Sequence, residues 1–144
     1  IRGGRVAVLL FDNEEVGLIG STLSRKPHAR VMADNPLVNL DCVGDGEMLL
    51  LAPNKGFCAD EELCVRTRAA FPAGSLAPVF ARRAFYPSDQ WGFPKALALA
   101  TLKRRRFFGA VIDRIHTRRD TILKEENIEY IGEGLLRLTD HENA

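Results

Sequence analysis

An α/β domain on a mostly parallel sheet, covered on both faces, is the fold this sequence predicts, and three observations predict it. Short apolar runs that read as strands alternate with segments of helical spacing. The runs are apolar at nearly every position, as strands buried on both faces are. At 144 residues, 46% hydrophobic and 27% charged, the chain has the length and composition of one globular domain with a real core. The expectation is a three-layer α/β/α sandwich of four or five strands, with no domain boundary, repeat or low-complexity segment inside it.

The first predicted strand covers residues 5–11, where Val6-Ala7-Val8-Leu9-Leu10-Phe11 supplies six apolar positions in a row. Asp12-Asn13-Glu14-Glu15 follows at its carboxyl end, and helical spacing then covers residues 15–24, with Asn13 as the expected N-cap. Pro27 stops that helix. Residues 37–43 form a second buried strand, and Gly44-Asp45-Gly46 turns it into a hairpin with residues 47–52. An acidic first turn opens a helix over residues 59–71. Residues 76–84 read as an edge strand because Pro78 cannot donate to a ladder. The Pro- and aromatic-rich residues 85–94 read as a loop, and residues 96–102 as a further strand. Lys103 to Arg106 is then a run of four cations, read as a solvated loop, before an apolar connection over residues 107–115. An amphipathic helix over residues 126–138 closes the chain.

The charge balance excludes some partners. A formal net charge of +1 gives no global field for nucleic acid or an anionic membrane, so neither is expected as a partner. Cys42, Cys58 and Cys64 make an odd count without paired metal-ligand spacing, which argues against a disulfide framework. With no signal-peptide pattern at the start, the expected location is the cytoplasm. The chain opens on Ile1 rather than Met, and residues 1–144 read as a piece of something longer.

Ionisable groups recur at the ends of apolar runs: Glu14 and Glu15, Asp41, and His116, with Asp89 as a further candidate. Glu, Asp and His form the donor set of a catalytic zinc or a related divalent ion. Such a site needs an open position for water and a nearby carboxylate to take its proton. Adjacent glutamates can divide those duties, because successive side chains at a strand-to-helix turn point in different directions. Each residue alone also has a plain structural reading, as a helix start, a strand end, a loop histidine or a local cap.

Four motifs in order change that balance. Asp12-Asn13-Glu14-Glu15-Val16-Gly17-Leu18-x-Gly20-Ser21, Asn39-Leu40-Asp41, Ser88-Asp89-x-x-x-Phe93 and His116-Thr117-x-x-Asp120-Thr121 together resemble the co-catalytic zinc aminopeptidases, a family that also holds glutaminyl cyclases. The resemblance spans residues 5–121 and implies a zinc-exopeptidase-like fold, incomplete at its N-terminal side, with residues 1–144 as the C-terminal part of a single catalytic domain. It implies that Glu14 is the general base, that Glu15 and His116 bind one metal, and that Asp41 binds the other. It further implies supporting roles for Asp89 and Asp120. The expected cofactor is zinc, as one or two ions, with cobalt or manganese as substitutes. The expected substrate is a peptide or amino-acyl compound, cleaved at its N-terminal residue. Tyr86, Trp91 and Phe93 are candidate walls of the substrate pocket.

The chain departs from the family at three points. The family's His-x-Asp motif, which supplies a ligand histidine and the bridging aspartate, occurs nowhere in this chain. Gln90 stands where members often carry His, and Leu97-Ala98-Leu99 replaces their Gly-Ile-Pro. The first departure leaves each metal short of ligands, so little activity is expected of this segment alone. It also implies an exposed sheet edge, open to self-association or to the missing N-terminal segment. The competing expectations are a glutaminyl-cyclase-like acyltransferase and a non-catalytic binding or assembly relative.

Overall fold

The computed structural model describes residues 6–53, 61–81 and 87–140. A five-stranded mixed sheet with four helices forms, in the order α1 (Ile19–Arg25), α2 (Ala29–Asp34), β1 (Leu37–Leu40), β2 (Met48–Pro53), α3 (Glu61–Ala70), β3 (Ala77–Phe80), β4 (Ala96–Arg105), β5 (Gly109–Val111) and α4 (Glu125–Asp140). A 3-10 turn at Asp89–Gly92 precedes β4. The strand order is β1-β4-β2-β3, with β5 paired to the far end of β4.

The sheet is less parallel than its strand composition predicts. β1 runs parallel to β4 and β2 parallel to β3, but β2 and β5 both run antiparallel to β4. The expected hairpin between residues 37–43 and 47–52 does not form, because β4 lies between its two arms. Gly46 permits this arrangement: a Cβ there would sit 2.6 Å from Thr101 Cβ. β4 is buried from Ala96 through Leu102 and acts as the central strand. β3 is an edge strand, as Pro78 requires.

Alternation along the strands divides the core in two. Leu49, Leu51, Leu97 and Leu99 face α3 and α4, and join Leu63, Phe71, Tyr130, Ile131 and Leu138 in the main cluster. Leu50, Ala52, Ala98, Ala100 and Leu102 make up the opposite cluster, with Met48, Ala81 and Ile112 packed against it. Gly134 brings α4 against the Phe71 ring, where a Cβ would overlap it. The Tyr130 hydroxyl donates to the Pro72 carbonyl at 2.6 Å and ties α4 to the end of α3.

Three further expectations are corrected. The described part of the first apolar run, residues 6–11, forms no strand. Val8 is 80% exposed and Leu10 93%. A strand needs a ladder partner as well as an apolar sequence, and no described strand pairs with this run. Phe11 alone packs inward, its ring 6.1 Å from that of Phe93. Second, α1 begins four residues later than predicted, after a turn in which Gly17 and Leu18 donate to the Glu14 carbonyl. Asn13 does not cap it; the N-cap position is Leu18, in the left-handed region at φ 58°. Third, the cationic run is not wholly loop. Lys103 to Arg105 continue β4, held there by Asp45 and Asp113. The cysteine reading also changes, because Cys64 is disulfide-bonded. Among the described residues, no helix is long and apolar enough to cross a membrane.

Candidate active-site cleft

β1 ends at Leu40 and delivers Asp41 to the carboxyl edge of the sheet. β5 leaves Val111 and runs through Ile112 and Ile115 to His116. The irregular segment after Phe11 brings Glu14 and Glu15 to the same place. Together with Asp120 these residues line one open cleft of about 540 Å³. Residues from three separate stretches of sequence therefore meet.

Within the cleft, His116 Nδ1 lies 3.5 Å from Glu15 Oε1, both side chains being well exposed. The Glu14 carboxyl is pushed above its ordinary value, first by partial burial and then by the charges of Glu15, Asp41 and Asp89, with His116 partly offsetting them. Asp41 is held from two sides. The Ser88 hydroxyl donates to Oδ2 at 2.9 Å and the Cys42 thiol to Oδ1 at 3.2 Å. Ser88 is itself fixed by Asn39, whose amide nitrogen donates to Ser88 Oγ at 3.1 Å and to Gln90 Oε1 at 3.0 Å. Asn39 and Asp41 are two apart along an extended chain, so their side chains leave the same face. Gln90 thus takes up an amide donor behind the cleft, at the position where the resembling family often has histidine.

The backbone is strained where the cleft is built. Asn13, Cys42, Arg114 and His116 all have φ between 52° and 64°. A left-handed conformation costs a non-glycine residue about 1 kcal/mol or more, and such positions cluster where function fixes a side chain. The loop carrying His116 is tied by Thr117. Its hydroxyl donates to the Arg114 carbonyl at 2.7 Å and accepts the Arg119 N–H at 3.2 Å. The Asp120 N–H closes the same turn on the Thr117 carbonyl at 3.1 Å.

The remaining candidates divide. Asp89 is buried on the 3-10 turn, and its Oδ1 has no hydrogen-bond partner among the described residues. Phe93 is buried in a cluster with Met32 and Ala96 and belongs to the core rather than to the cleft wall. Trp91 is half-buried on the 3-10 turn and does not line the cleft. Tyr86 lies outside the described residues. Asn39, Ser88 and Thr117 stand inside the motifs and Gln90 at a departure from them, but sequence reasoning gave none of the four a role in the site.

The fit to a metal is partial. Zinc bonds of about 2.0–2.2 Å put two ligand atoms of one tetrahedral ion roughly 3.3 Å apart. The Glu15–His116 separation is close to that. Yet no group of three His, Cys, Asp or Glu among the described residues is placed to hold one ion. The cleft presents the Glu15–His116 pair, with Asp41 fixed nearby by other partners.

Fold and cleft define a small mixed α/β domain with an acidic cleft at the carboxyl end of β1. Comparison with protein-family profiles, with curated proteins and with solved structures returned no match.

Proposed function

We propose that this chain is a metal-dependent hydrolytic domain of the aminopeptidase type, with Glu14 as the general base. One observation carries the reading: Glu15 and His116 approach to 3.5 Å beside Glu14, whose carboxyl is raised above its ordinary value. A raised carboxyl is a stronger base, and takes a proton from water more readily than an ordinary glutamate does. Glu15 and His116 offer a divalent ion one oxygen and one nitrogen, and Asp41 offers a carboxylate already oriented by Ser88. A bound ion supplies Lewis acidity toward a carbonyl and lowers the pKa of water. Zinc suits the donor set, with cobalt and manganese as substitutes. The substrate proposed is a peptide or amino-acyl amide with a free N-terminus, in keeping with the four motifs.

The absence of His-x-Asp from the 144 residues sets the expected scale of activity. Two ligands hold a divalent ion weakly, so turnover by this chain is slow. Among the described residues no third ligand completes the pair, which favours a second reading, a relative that keeps the cleft for binding or assembly without catalysis. A glutaminyl-cyclase-like acyl transfer remains the alternative chemistry, since it draws on the same Glu-Glu pair. Cobalt titration followed by visible absorption, together with hydrolysis of leucine amide, separates these readings. The aminopeptidase reading expects weak cobalt binding lost in E15Q and H116A, and slow hydrolysis lost in E14Q with cobalt binding retained. Cyclisation of an N-terminal glutamine in place of hydrolysis assigns the acyl transfer. Cobalt binding indifferent to E15Q and H116A overturns the metal reading altogether.

A further inference from the structure

The hairpin between β4 and β5 carries a surface that the cleft does not use. Its arms pair from Lys103↔Val111 to Arg105↔Gly109, leaving residues 106–108 as the tip. Gly109 closes the turn at φ 72°, a conformation that favours glycine. Phe107 and Phe108 stand side by side on the tip, 83% and 81% exposed.

Strand alternation sorts the four cations next to them. Lys103 and Arg105 point to one face, where both are neutralised. Lys103 Nζ lies 2.8 Å from Asp45 Oδ2, and the Arg105 guanidinium pairs with Asp113. Arg104 points the other way, is exposed, and forms no ion pair among the described residues. Arg106 is exposed on the tip, its guanidinium carbon 5.4 Å from the centre of the Phe107 ring. The tip therefore presents two aromatic rings together with two exposed arginines that form no ion pair among the described residues. The expectation of a merely solvated loop leaves the phenylalanines unexplained.

We propose that this tip docks the protein peripherally on an anionic lipid surface. Area argues against a protein partner. A specific interface covers about 800 Å² on each side, whereas a buried aromatic side chain removes about 150–250 Å². A convex tip of three residues falls well short of that and offers no groove. Nucleic acid is disfavoured because its affinity rests on several phosphate contacts, and two arginines on one tip supply few. A bilayer interface needs no complementary pocket. It accepts phenylalanine side chains at the headgroup–acyl boundary, and its anionic headgroups attract flanking arginines. Stable peripheral binding takes an apolar and a basic signal together, and the tip has both.

Co-sedimentation of the purified chain with vesicles tests this. One set is phosphatidylcholine alone, and the other is phosphatidylcholine mixed with phosphatidylserine, the anionic lipid that helps give cytoplasmic leaflets their negative surface potential. The wild-type chain is expected to bind the anionic set, to bind the neutral set far less, and to dissociate at high salt. F107S/F108S and R104Q/R106Q are each expected to lower partitioning roughly tenfold or more, the arginine pair acting only on anionic vesicles. All four side chains lie on the surface, and circular dichroism melts check that the variants fold. Wild-type binding that ignores lipid charge or salt overturns the proposal without recourse to any variant. So does its absence. Binding to an RNA homopolymer without vesicle binding, or a dimer dissolved by F107S/F108S without it, also overturns the proposal and assigns the tip elsewhere.

Discussion

Glu14 holds its charge against its surroundings. Burial comes first among the causes and three neighbouring carboxylates follow, so the folded protein binds the Glu14 proton more tightly than the unfolded chain does. The stabilisation from that proton is fully present below the unfolded pKa of about 4.3 and is lost as pH rises through the raised folded value. Glu14→Gln keeps the shape and removes the titration. Urea unfolding at a series of pH values should therefore show E14Q gaining on wild type from about pH 4 toward neutrality. A difference that stays flat across that range would contradict the raised carboxyl. The candidate residues Glu14, Glu15, Asp41 and His116 were legible because each ionisable group follows an apolar run. The roles of Asn39, Ser88 and Gln90 were not, since their bonds span 47 to 51 residues and exist only once the 3-10 turn has packed beside β1.

Two apolar runs of similar appearance end differently at the scale of the element. Residues 96–102 become the buried centre of the sheet because β4 finds ladder partners on both sides. Residues 6–11 find none among the described strands, and only Phe11 buries. Hydrophobicity was legible and pairing was not, because a ladder depends on what lies alongside in space. The cationic run was misread for the converse reason: Asp45 and Asp113, remote in sequence, neutralise Lys103 and Arg105 and let the strand continue. The contrast yields a measurable difference. Leu99→Ala, at a fully buried site, should cost about 2–5 kcal/mol, while Leu10→Ser should stay within about 0.5 kcal/mol of wild type. Denaturant midpoints decide it. A loss at Leu10 comparable to that at Leu99 would mean that residues 6–11 pair with the sheet after all.

For the whole molecule, stability and the proposed chemistry occupy different ground. The main core joins Leu49, Leu51, Leu97 and Leu99 to α3 and α4, and contains none of the acids or the histidine that line the cleft. The core is therefore expected to fold without a bound metal, unlike small domains whose core is replaced by one. Removing divalent ions with a chelator should leave the melting temperature unchanged. Adding zinc should act only by mass action on the Glu15–His116 pair. A concentration ten times the dissociation constant raises stability by about 1.4 kcal/mol, and a two-ligand site puts that constant high. The upward shift should therefore appear only at high zinc, and should vanish in His116→Ala, whose side chain is exposed and whose loss costs the core nothing. A melting temperature lowered by chelator alone would reveal a structural ion bound by more than this pair, and the two-ligand account of the cleft would fall.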